Sequence, residues 1–146
     1  MEYTTQMDAA RKGIVTEELR KVAEKEHFEV NELMALVAEG KAAIPANKNH
    51  RCLDPNGIGS MLRTKINVNL GTSRDCKDLD MELEKVNYAV GMGAESIMDL
   101  SSWGDTQKFR RKLTAECPAI IGTVPIYDAV VYYHKPLKDI TTEEWL

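Results

Sequence analysis

The most regular alternation of apolar and polar residues lies at positions 65–70, within the segment GIGSMLRTKINVNLGTS at Gly57–Ser73. Apolar residues at 66, 68 and 70 alternate with Lys65, Asn67 and Asn69, so a β-strand would place the two sets on opposite faces. A half-exposed strand has this pattern. A strand of a β/α barrel also has it when its polar side faces a ligand at the barrel mouth. The alternation therefore predicts a strand and leaves its environment open.

Helical periodicity dominates residues 1–40. Thr16 is placed to cap a helix at Glu17–Glu26, whose first glutamates suit the positive end of the helix dipole. Asn31 is placed to cap a second helix, and Gly40 follows it as the expected stop. The sequence predicts two short amphipathic helices with their apolar faces inward. The residues expected to face inward are Leu19, Val22, Ala23, Leu33, Met34 and Val37.

Residues 41–60 are rich in proline, glycine and asparagine, which predicts a loop with one short strand at Ala42–Ile44. A polar cluster within this loop could reach an anionic ligand, because loops carry function more often than scaffold elements do. A solvated loop explains the same residues. The cluster consists of Asn47, Lys48, Asn49, His50 and Arg51.

From residue 61 onward, strand and helix patterns alternate, which is typical of βαβ crossovers and a parallel sheet. An open doubly wound sheet and the start of a (β/α)8 barrel both fit. The GxGxxG turn of dinucleotide-binding sheets is missing after the first strand. In either fold we expect an α/β protein with parallel strands, a helical region and polar loop at 1–60 and three βα units at 61–146; if the fold is a barrel, these are the first three βα units of an incomplete (β/α)8 barrel. The predicted elements are strands at Thr64–Leu70, Glu95–Leu100 and Ala119–Val124, with helices at Leu79–Met92, from Asp105 to before Pro118, and at Ile126–Tyr133.

The last eight residues, Asp139–Leu146, contain a helix start signal. Thr141 and Glu144 have the spacing of a capping box, so a new helix is expected to begin there. A helix of one turn is not stable alone. We interpret the sequence as a piece of a longer protein; a frayed tail on a complete three-stranded domain is the alternative.

Composition narrows the function classes. The chain has 146 residues, 43% of them hydrophobic, and a net charge of -4, which gives no long-range attraction to nucleic acid. It has neither a long apolar run nor a secretory signal pattern, so we expect a soluble, cytoplasmic protein with no membrane partner. Three cysteines lack CxxC spacing and three histidines lack HxH or HExxH spacing, which predicts reduced thiols and no locally encoded metal site.

Four segments, in order and in spacing, resemble the phosphomethylpyrimidine synthase family of thiamine biosynthesis, also called the ThiC family. They are IPANKNH at 44–50, GIGSMLRTKINVNLGTS at 57–73, ESIMDLSSWGD at 95–105 and GTVPIYDA at 122–129. The N-terminal segment TTQMDAARKGIVTEELRKVAEKE is also similar to the start of that family. The resemblance covers nearly the whole chain.

The resemblance implies a fold and a reaction. Members of the family have an N-terminal region, a (β/α)8 barrel and a C-terminal CxxCxxxxC motif for a [4Fe–4S] cluster. They are carbon–carbon lyases that convert 5-aminoimidazole ribonucleotide into 4-amino-5-hydroxymethyl-2-methylpyrimidine phosphate by radical S-adenosylmethionine chemistry. A divalent metal, zinc, and a homodimer are also implied. In such reactions the cofactors carry the chemistry, and the protein orients the substrate and excludes water.

Three substrate contacts of the family fall on this chain by position. They are Asn69 near the end of the first strand, Met98 near the end of the second and Tyr127 just past the third. All three lie at the strand ends where barrel enzymes place their sites. Asn69 could hydrogen-bond an imidazole or ribose edge, Tyr127 could hydrogen-bond phosphate or sugar, and Met98 could pack on the ring. Without the resemblance, a turn asparagine, a packing tyrosine and a core methionine would explain them.

The sequence departs from the family pattern because it contains no CxxCxxxxC motif, and its three cysteines cannot replace it. We therefore expect this chain alone to bind none of these cofactors and to lack synthase activity. Three βα units would leave a sheet edge and apolar faces uncovered, which predicts a chain that aggregates, forms a homo-oligomer or is held in a larger assembly. Two alternatives remain: a non-catalytic interaction or dimerisation module, and an unrelated βα ligand-binding domain.

Overall fold

A computed structural model describes residues 2–146, and its N-terminal part is helical. Helix α1 is Gln6–Arg11, α2 is Glu17–Glu26 and α3 is Val30–Ala38. The hydroxyl of Thr16 accepts from the backbone N–H of Leu19, which confirms the predicted cap of α2. The residues buried between these helices include Leu19, Val22, Ala23, Leu33 and Val37, with Met34 packed against them.

The predicted cap of α3 is wrong. Asn31 lies inside the helix, and the residue at the cap position is Glu29, whose side chain makes no capping hydrogen bond. Helix α3 is therefore stabilised mainly by its buried face, where Leu33 and Val37 are nearly inaccessible to solvent. Gly40 follows the helix with φ of +76°, the left-handed conformation that glycine adopts most easily.

A small antiparallel ladder joins the two ends of the loop at 41–60. Strand β1 is Ala42–Ala43, one residue shorter than the predicted Ala42–Ile44, and it pairs with β2 at Ile58–Gly59, which the sequence did not predict. Gly59 has φ of +148°, and a Cβ there would lie 2.3 Å from the carbonyl oxygen of Lys41. Only glycine permits this close approach, so the ladder depends on that residue.

Three parallel strands form the main sheet, in the order β3–β4–β5. Their helical connections α4 and α5 bury their apolar sides against one face of the sheet, where Ile97, Phe109 and Leu113 are nearly inaccessible to solvent. The parallel βα prediction is therefore confirmed. The bounds are β3 Asn67–Leu70, α4 Leu79–Gly91, β4 Ser96–Asp99, α5 Thr106–Glu116 and β5 Ile120–Thr123.

The first sheet strand is shorter than the alternation predicted. It begins at Asn67, and the two residues before it reverse the expected inside–outside pattern. The Lys65 side chain is only 5% exposed because its ammonium group pairs with Glu26. Ile66 is 59% exposed, and its N–H donates to the Glu95 carboxylate at 2.7 Å. Ion pairing thus overrides the period-2 pattern at this point.

The chain ends with α6 at Pro125–Tyr133, a 3₁₀ turn at Leu137–Asp139 and α7 at Thr142–Trp145. The predicted capping box is present, since the Thr141 hydroxyl accepts from the Glu144 N–H and the Glu144 carboxylate accepts from the Thr141 N–H.

Polar contacts connect the helical region to the sheet. The Glu26 carboxylate, at the end of α2, pairs with Lys65 and also accepts from the N–H of Arg63 at 2.9 Å. The guanidinium of Arg63 pairs with Glu95, which directly precedes β4. Burial alone would raise the pKa of Glu26, but the hydrogen bonds from Lys65 and Arg63 outweigh burial and lower it.

The architecture is thus a mixed α/β one, with a helical N-terminal region and a three-stranded parallel sheet. Within residues 2–146, every helix is too short or too polar to cross a lipid bilayer.

Candidate functional site

Two of the predicted site residues are direct neighbours on the sheet. Asn69 on β3 is in register with Met98 on β4, and Met98 is in register with Gly122 on β5. These residues alternate with Val68, Ile97 and other residues packed against the helices, so they point to the opposite face. Asn69 is exposed there, and its amide oxygen accepts from the Asn67 amide at 3.3 Å.

Asn69, Met98 and Gly122 form a row across the three strands, and Gly122 explains the position of the Met98 side chain. A Cβ built on Gly122 would lie 2.7 Å from the Met98 Cε and 2.9 Å from its sulfur. The thioether therefore lies across the space that any other side chain at position 122 would need. Glycine on β5 allows the flexible, polarizable end of Met98 to lie over β5, on the side of β4 away from Asn69.

Tyr127 lies beyond the same end of the sheet but not on a strand. It is in the first turn of α6, four residues after β5 ends at Thr123, and it is 44% exposed. The carboxyl ends of the three parallel strands point to this side. The structure thus places Asn69 and Met98 side by side, and it places Tyr127 on the adjoining helix with an accessible side chain.

A cleft of about 490 Å³ lies on the face of the sheet that carries Met98. Its polar groups come from Asn67 and Ser96, the first residues of β3 and β4, and from Arg63, Thr64 and Lys65 before β3. The remaining lining residues are Ile58, Gly59, Leu62 and Met98. Among the predicted contacts, Met98 lines this cleft, whereas Asn69 and Tyr127 do not.

The loop that follows Asn69 is held by buried polar groups. The carboxylate of Glu82, a fully buried residue of α4, accepts from the N–H of Gly71 at 2.9 Å and pairs with Lys85 at 2.6 Å. The N–H of Thr72 donates to the hydroxyl of Ser101 at 3.1 Å. These contacts fix the loops after β3 and β4 against each other, and sequence reasoning missed them.

An ionic network lies at the carboxyl end of β4. Asp99 is fully buried, and its carboxylate accepts from the Nε of Arg110 on α5 at 2.8 Å. The same guanidinium pairs through Nη1 with Asp128 on α6. Asp128 also accepts from the hydroxyl of Thr106 at 2.9 Å. The only signal in the sequence was an aspartate directly after Met98 and another directly after Tyr127.

The residues of the polar loop cluster lie in different environments, since His50 is buried and the others are exposed. His50 is buried, and its Nε2 donates to the carbonyl oxygen of Cys117 at 2.6 Å, so it anchors the loop to the end of α5. Lys48 and Arg51 are exposed and line a cavity of about 520 Å³ beside α1 and α2. Glu17 and Glu18 line the same cavity, so its charge is mixed rather than strongly positive.

The thiols do not form a metal centre. Cys52, Cys76 and Cys117 are free, and Cys52 donates to the carbonyl oxygen of Cys117 at 3.3 Å. Burial raises the pKa of the Cys117 thiol, which disfavours the thiolate that a metal needs. No group of three or more His, Cys, Asp or Glu side chains is placed to hold a metal within residues 2–146. These residues therefore do not fit an iron–sulfur cluster or a zinc ion.

Comparison with known proteins decides the family. The model of the family described as "Radical SAM ThiC family" matches residues 5–146. The chain belongs to the Radical SAM ThiC family. This removes the alternative of an unrelated domain that resembles the family by chance.

Members of the Radical SAM ThiC family from two clostridial species match the whole chain. The phosphomethylpyrimidine synthase of Clostridium botulinum (strain 657 / Type Ba4) is 66% identical over 146 residues, which are 33% of its length. The phosphomethylpyrimidine synthase of Clostridioides difficile (strain 630) is 62% identical over 146 residues, or 34% of its length. The chain thus spans about a third of the length of these relatives.

Proposed function

We propose that this chain is the N-terminal part of a phosphomethylpyrimidine synthase. The whole enzyme would convert 5-aminoimidazole ribonucleotide into 4-amino-5-hydroxymethyl-2-methylpyrimidine phosphate, as a radical S-adenosylmethionine lyase of the cytoplasm. The family match over residues 5–146 carries this proposal. S-adenosylmethionine, the [4Fe–4S] cluster and zinc would be held by other parts of the enzyme, and the chain alone would be inactive.

In this proposal the three βα units are the opening units of a (β/α)8 barrel, and 1–60 is a separate N-terminal region. Two observations support the barrel. The helices α4 and α5 pack on one face of the sheet only, and the other face carries the Asn69–Met98–Gly122 row and a cleft. In a barrel, that second face lines the interior, and the carboxyl ends of the strands form the substrate mouth.

The proposed role of the chain in the reaction is to bind and orient the ribonucleotide. Asn69 would hydrogen-bond an imidazole or ribose edge through its amide. Met98 would contact the ring with its sulfur and methyl group, which are pressed flat against Gly122. Tyr127, in the first turn of α6, would donate a hydrogen bond from its hydroxyl to phosphate or sugar. Each contact reduces the freedom of the substrate before the reaction begins.

Isothermal titration of the chain with 5-aminoimidazole ribonucleotide tests this site. We expect measurable heat of binding, and we expect Asn69→Ala to abolish it. Asn87→Ala is the matched control, because Asn87 is an exposed asparagine of α4 away from the row. Heat that Asn69→Ala leaves unchanged would refute the assignment of Asn69.

The alternative is a non-catalytic interaction or dimerisation module. It is favoured by the two free edges of the three-stranded sheet, β3 and β5, which leave backbone groups available for pairing. No heat of binding at high ribonucleotide concentration would support it. Under either proposal the chain should self-associate, and a single sedimentation peak at the mass of the monomer that does not change with concentration would contradict this.

A further inference from the structure

The residues that directly follow Met98 and Tyr127 are aspartates that pair with the same arginine, Arg110. Asp99 follows Met98 at the end of β4, and Asp128 follows Tyr127 in the first turn of α6. Both carboxylates pair with the guanidinium of Arg110. A single side chain on α5 thus connects the strand that carries one proposed substrate contact to the helix that carries another.

The β4 side of this connection is rigid. Asp99 is fully buried, with one carboxylate oxygen accepting from Arg110 Nε at 2.8 Å and the other from the N–H of Ser101 at 2.9 Å. Arg110 is itself only 18% exposed. Charge-assisted hydrogen bonds in such a setting are short and directional, so the position of the guanidinium is set by β4.

The α6 side has few other restraints. Ala129 is the one buried residue of α6, and the residue at its N-cap position, Val124, provides no side-chain cap. Helix α6 therefore gains little from apolar burial. The bonds from Arg110 and Thr106 to Asp128 are the polar contacts that join its first turn to α5.

The local charge balance also points to a bridging role. Two carboxylates face one guanidinium, so Arg110 neutralises a repulsion that would otherwise push the first turn of α6 away from β4. Burial alone would lower the pKa of Arg110, but its bonds to Asp128 and Asp99 outweigh burial and raise it. The guanidinium of an arginine stays charged at physiological pH. A lysine has the charge but not the planar fork that holds two carboxylates.

We propose that Arg110 is a positioning residue that sets the orientation of Tyr127 relative to Met98. It touches no substrate in this proposal; it acts through Asp99 and Asp128. The inference rests on the proposed function for the identity of the ligand, while the geometric coupling that it describes exists in the free protein.

The coupling is tested first without ligand. Fluorotyrosine labelling gives a ¹⁹F signal for Tyr127, assigned by Tyr127→Phe, and [methyl-¹³C]methionine gives a signal for Met98, assigned by Met98→Leu. We expect Asp128→Asn to shift and broaden the Tyr127 signal while leaving the Met98 signal in place. We expect Arg110→Met to change both signals. Arg111→Met is the matched control, because Arg111 is the exposed neighbour of Arg110, and it should change neither.

A double variant separates positioning from general loosening of the fold. If Arg110 acts on Tyr127 through Asp128, the double variant Arg110→Met/Asp128→Asn should give the same Tyr127 signal as Arg110→Met alone. Independent effects would add instead. Arg110→Lys should restore the Met98 signal and only part of the Tyr127 signal. If Arg110→Met does not fold, Asp128→Asn still decides the question, because it leaves the buried Asp99–Arg110 pair intact.

Titration with 5-aminoimidazole ribonucleotide then separates this inference from the proposed function. We expect Asp128→Asn to raise the Kd about tenfold, the effect of about 1.4 kcal/mol. If the wild-type chain does not bind the ribonucleotide but the Tyr127 signal responds as described, the proposed site is wrong and the coupling stands. If the chain binds and Asp128→Asn changes neither the Kd nor the Tyr127 signal, the positioning role is wrong.

Discussion

Replacing Glu82 tests how the loop after Asn69 is held. Glu82 is a fully buried acid on α4, and its carboxylate accepts from the N–H of Gly71 at 2.9 Å. Glu82→Ala removes this charge-assisted hydrogen bond and leaves the Gly71 N–H without its partner. A hydrogen bond to a charged group contributes about 1.5–3 kcal/mol to stability.

The ion pair with Lys85 adds less to the expected effect. The Lys85 side chain is 50% exposed, so solvent screens its attraction to Glu82 and the pair contributes about 0–1 kcal/mol. Glu82→Ala should therefore lower the free energy of unfolding by about 1.5–4 kcal/mol. Glu82→Gln keeps an oxygen that can accept from Gly71 and should cost about 1 kcal/mol. Lys85→Ala should cost less than about 1 kcal/mol, since solvent already screens the ammonium group of this half-exposed lysine.

Urea unfolding is the assay, with far-ultraviolet circular dichroism for the helices and tryptophan fluorescence for the loop. Trp103 reports on that loop because its carbonyl oxygen accepts from the Thr72 hydroxyl at 2.6 Å. The loss of unfolding free energy should be largest for Glu82→Ala, smaller for Glu82→Gln and smallest for Lys85→Ala. Equal losses for Glu82→Ala and Lys85→Ala would refute the reasoning, because the exposed ion pair would then account for the whole effect.

Three further substitutions test other features of the fold. Gly71→Ala should lower the melting temperature severely, because its Cβ would lie 2.5 Å from the backbone nitrogen of Ser101. Gly91→Ala is the control and should leave the melting temperature nearly unchanged, because a Cβ there would have no other atom within 4 Å. Leu113→Ala should cost about 2–5 kcal/mol in urea unfolding, because the side chain is 1% exposed in the sheet core; a loss below about 1 kcal/mol would contradict that placement. Glu26 has a pKa below its ordinary value of 4.5, so its contribution to stability is present above pH 4.5 and is lost as pH falls further. Glu26→Gln should therefore lower the melting temperature at neutral pH and weaken its acid dependence; parallel pH profiles for wild type and variant would refute this.

Local signals in the sequence predicted most of the secondary structure. Thr16 caps α2 and Asp105 caps α5, as the sequence predicted, because a cap depends only on residues two or three positions away. Apolar periodicity predicted the strands and the helices of the sheet region, although each strand is shorter than predicted. The register of Asn69 with Met98 agrees with the predicted shared position of these residues.

Long-range polar contacts were beyond sequence reasoning. Lys65 is buried because its partner Glu26 lies 39 positions earlier in the chain, and a period-2 pattern contains no information about that partner. His50 anchors its loop to a carbonyl oxygen 67 positions away. Arg110 likewise pairs with two aspartates on different elements. In each case the charge was visible in the sequence, but the pairing depended on the fold.

The two apolar clusters of this chain, one among α1–α3 and β1 and the other between the sheet and its helices, share no buried residue. Hydrogen bonds and ion pairs, such as Lys65–Glu26, connect the two parts, and water can replace such groups at lower cost than it can enter an apolar interior. We therefore expect the helical part to open while the sheet keeps its own interior closed. Deuterium should then enter the amides of α2 and α3 independently of those of β4.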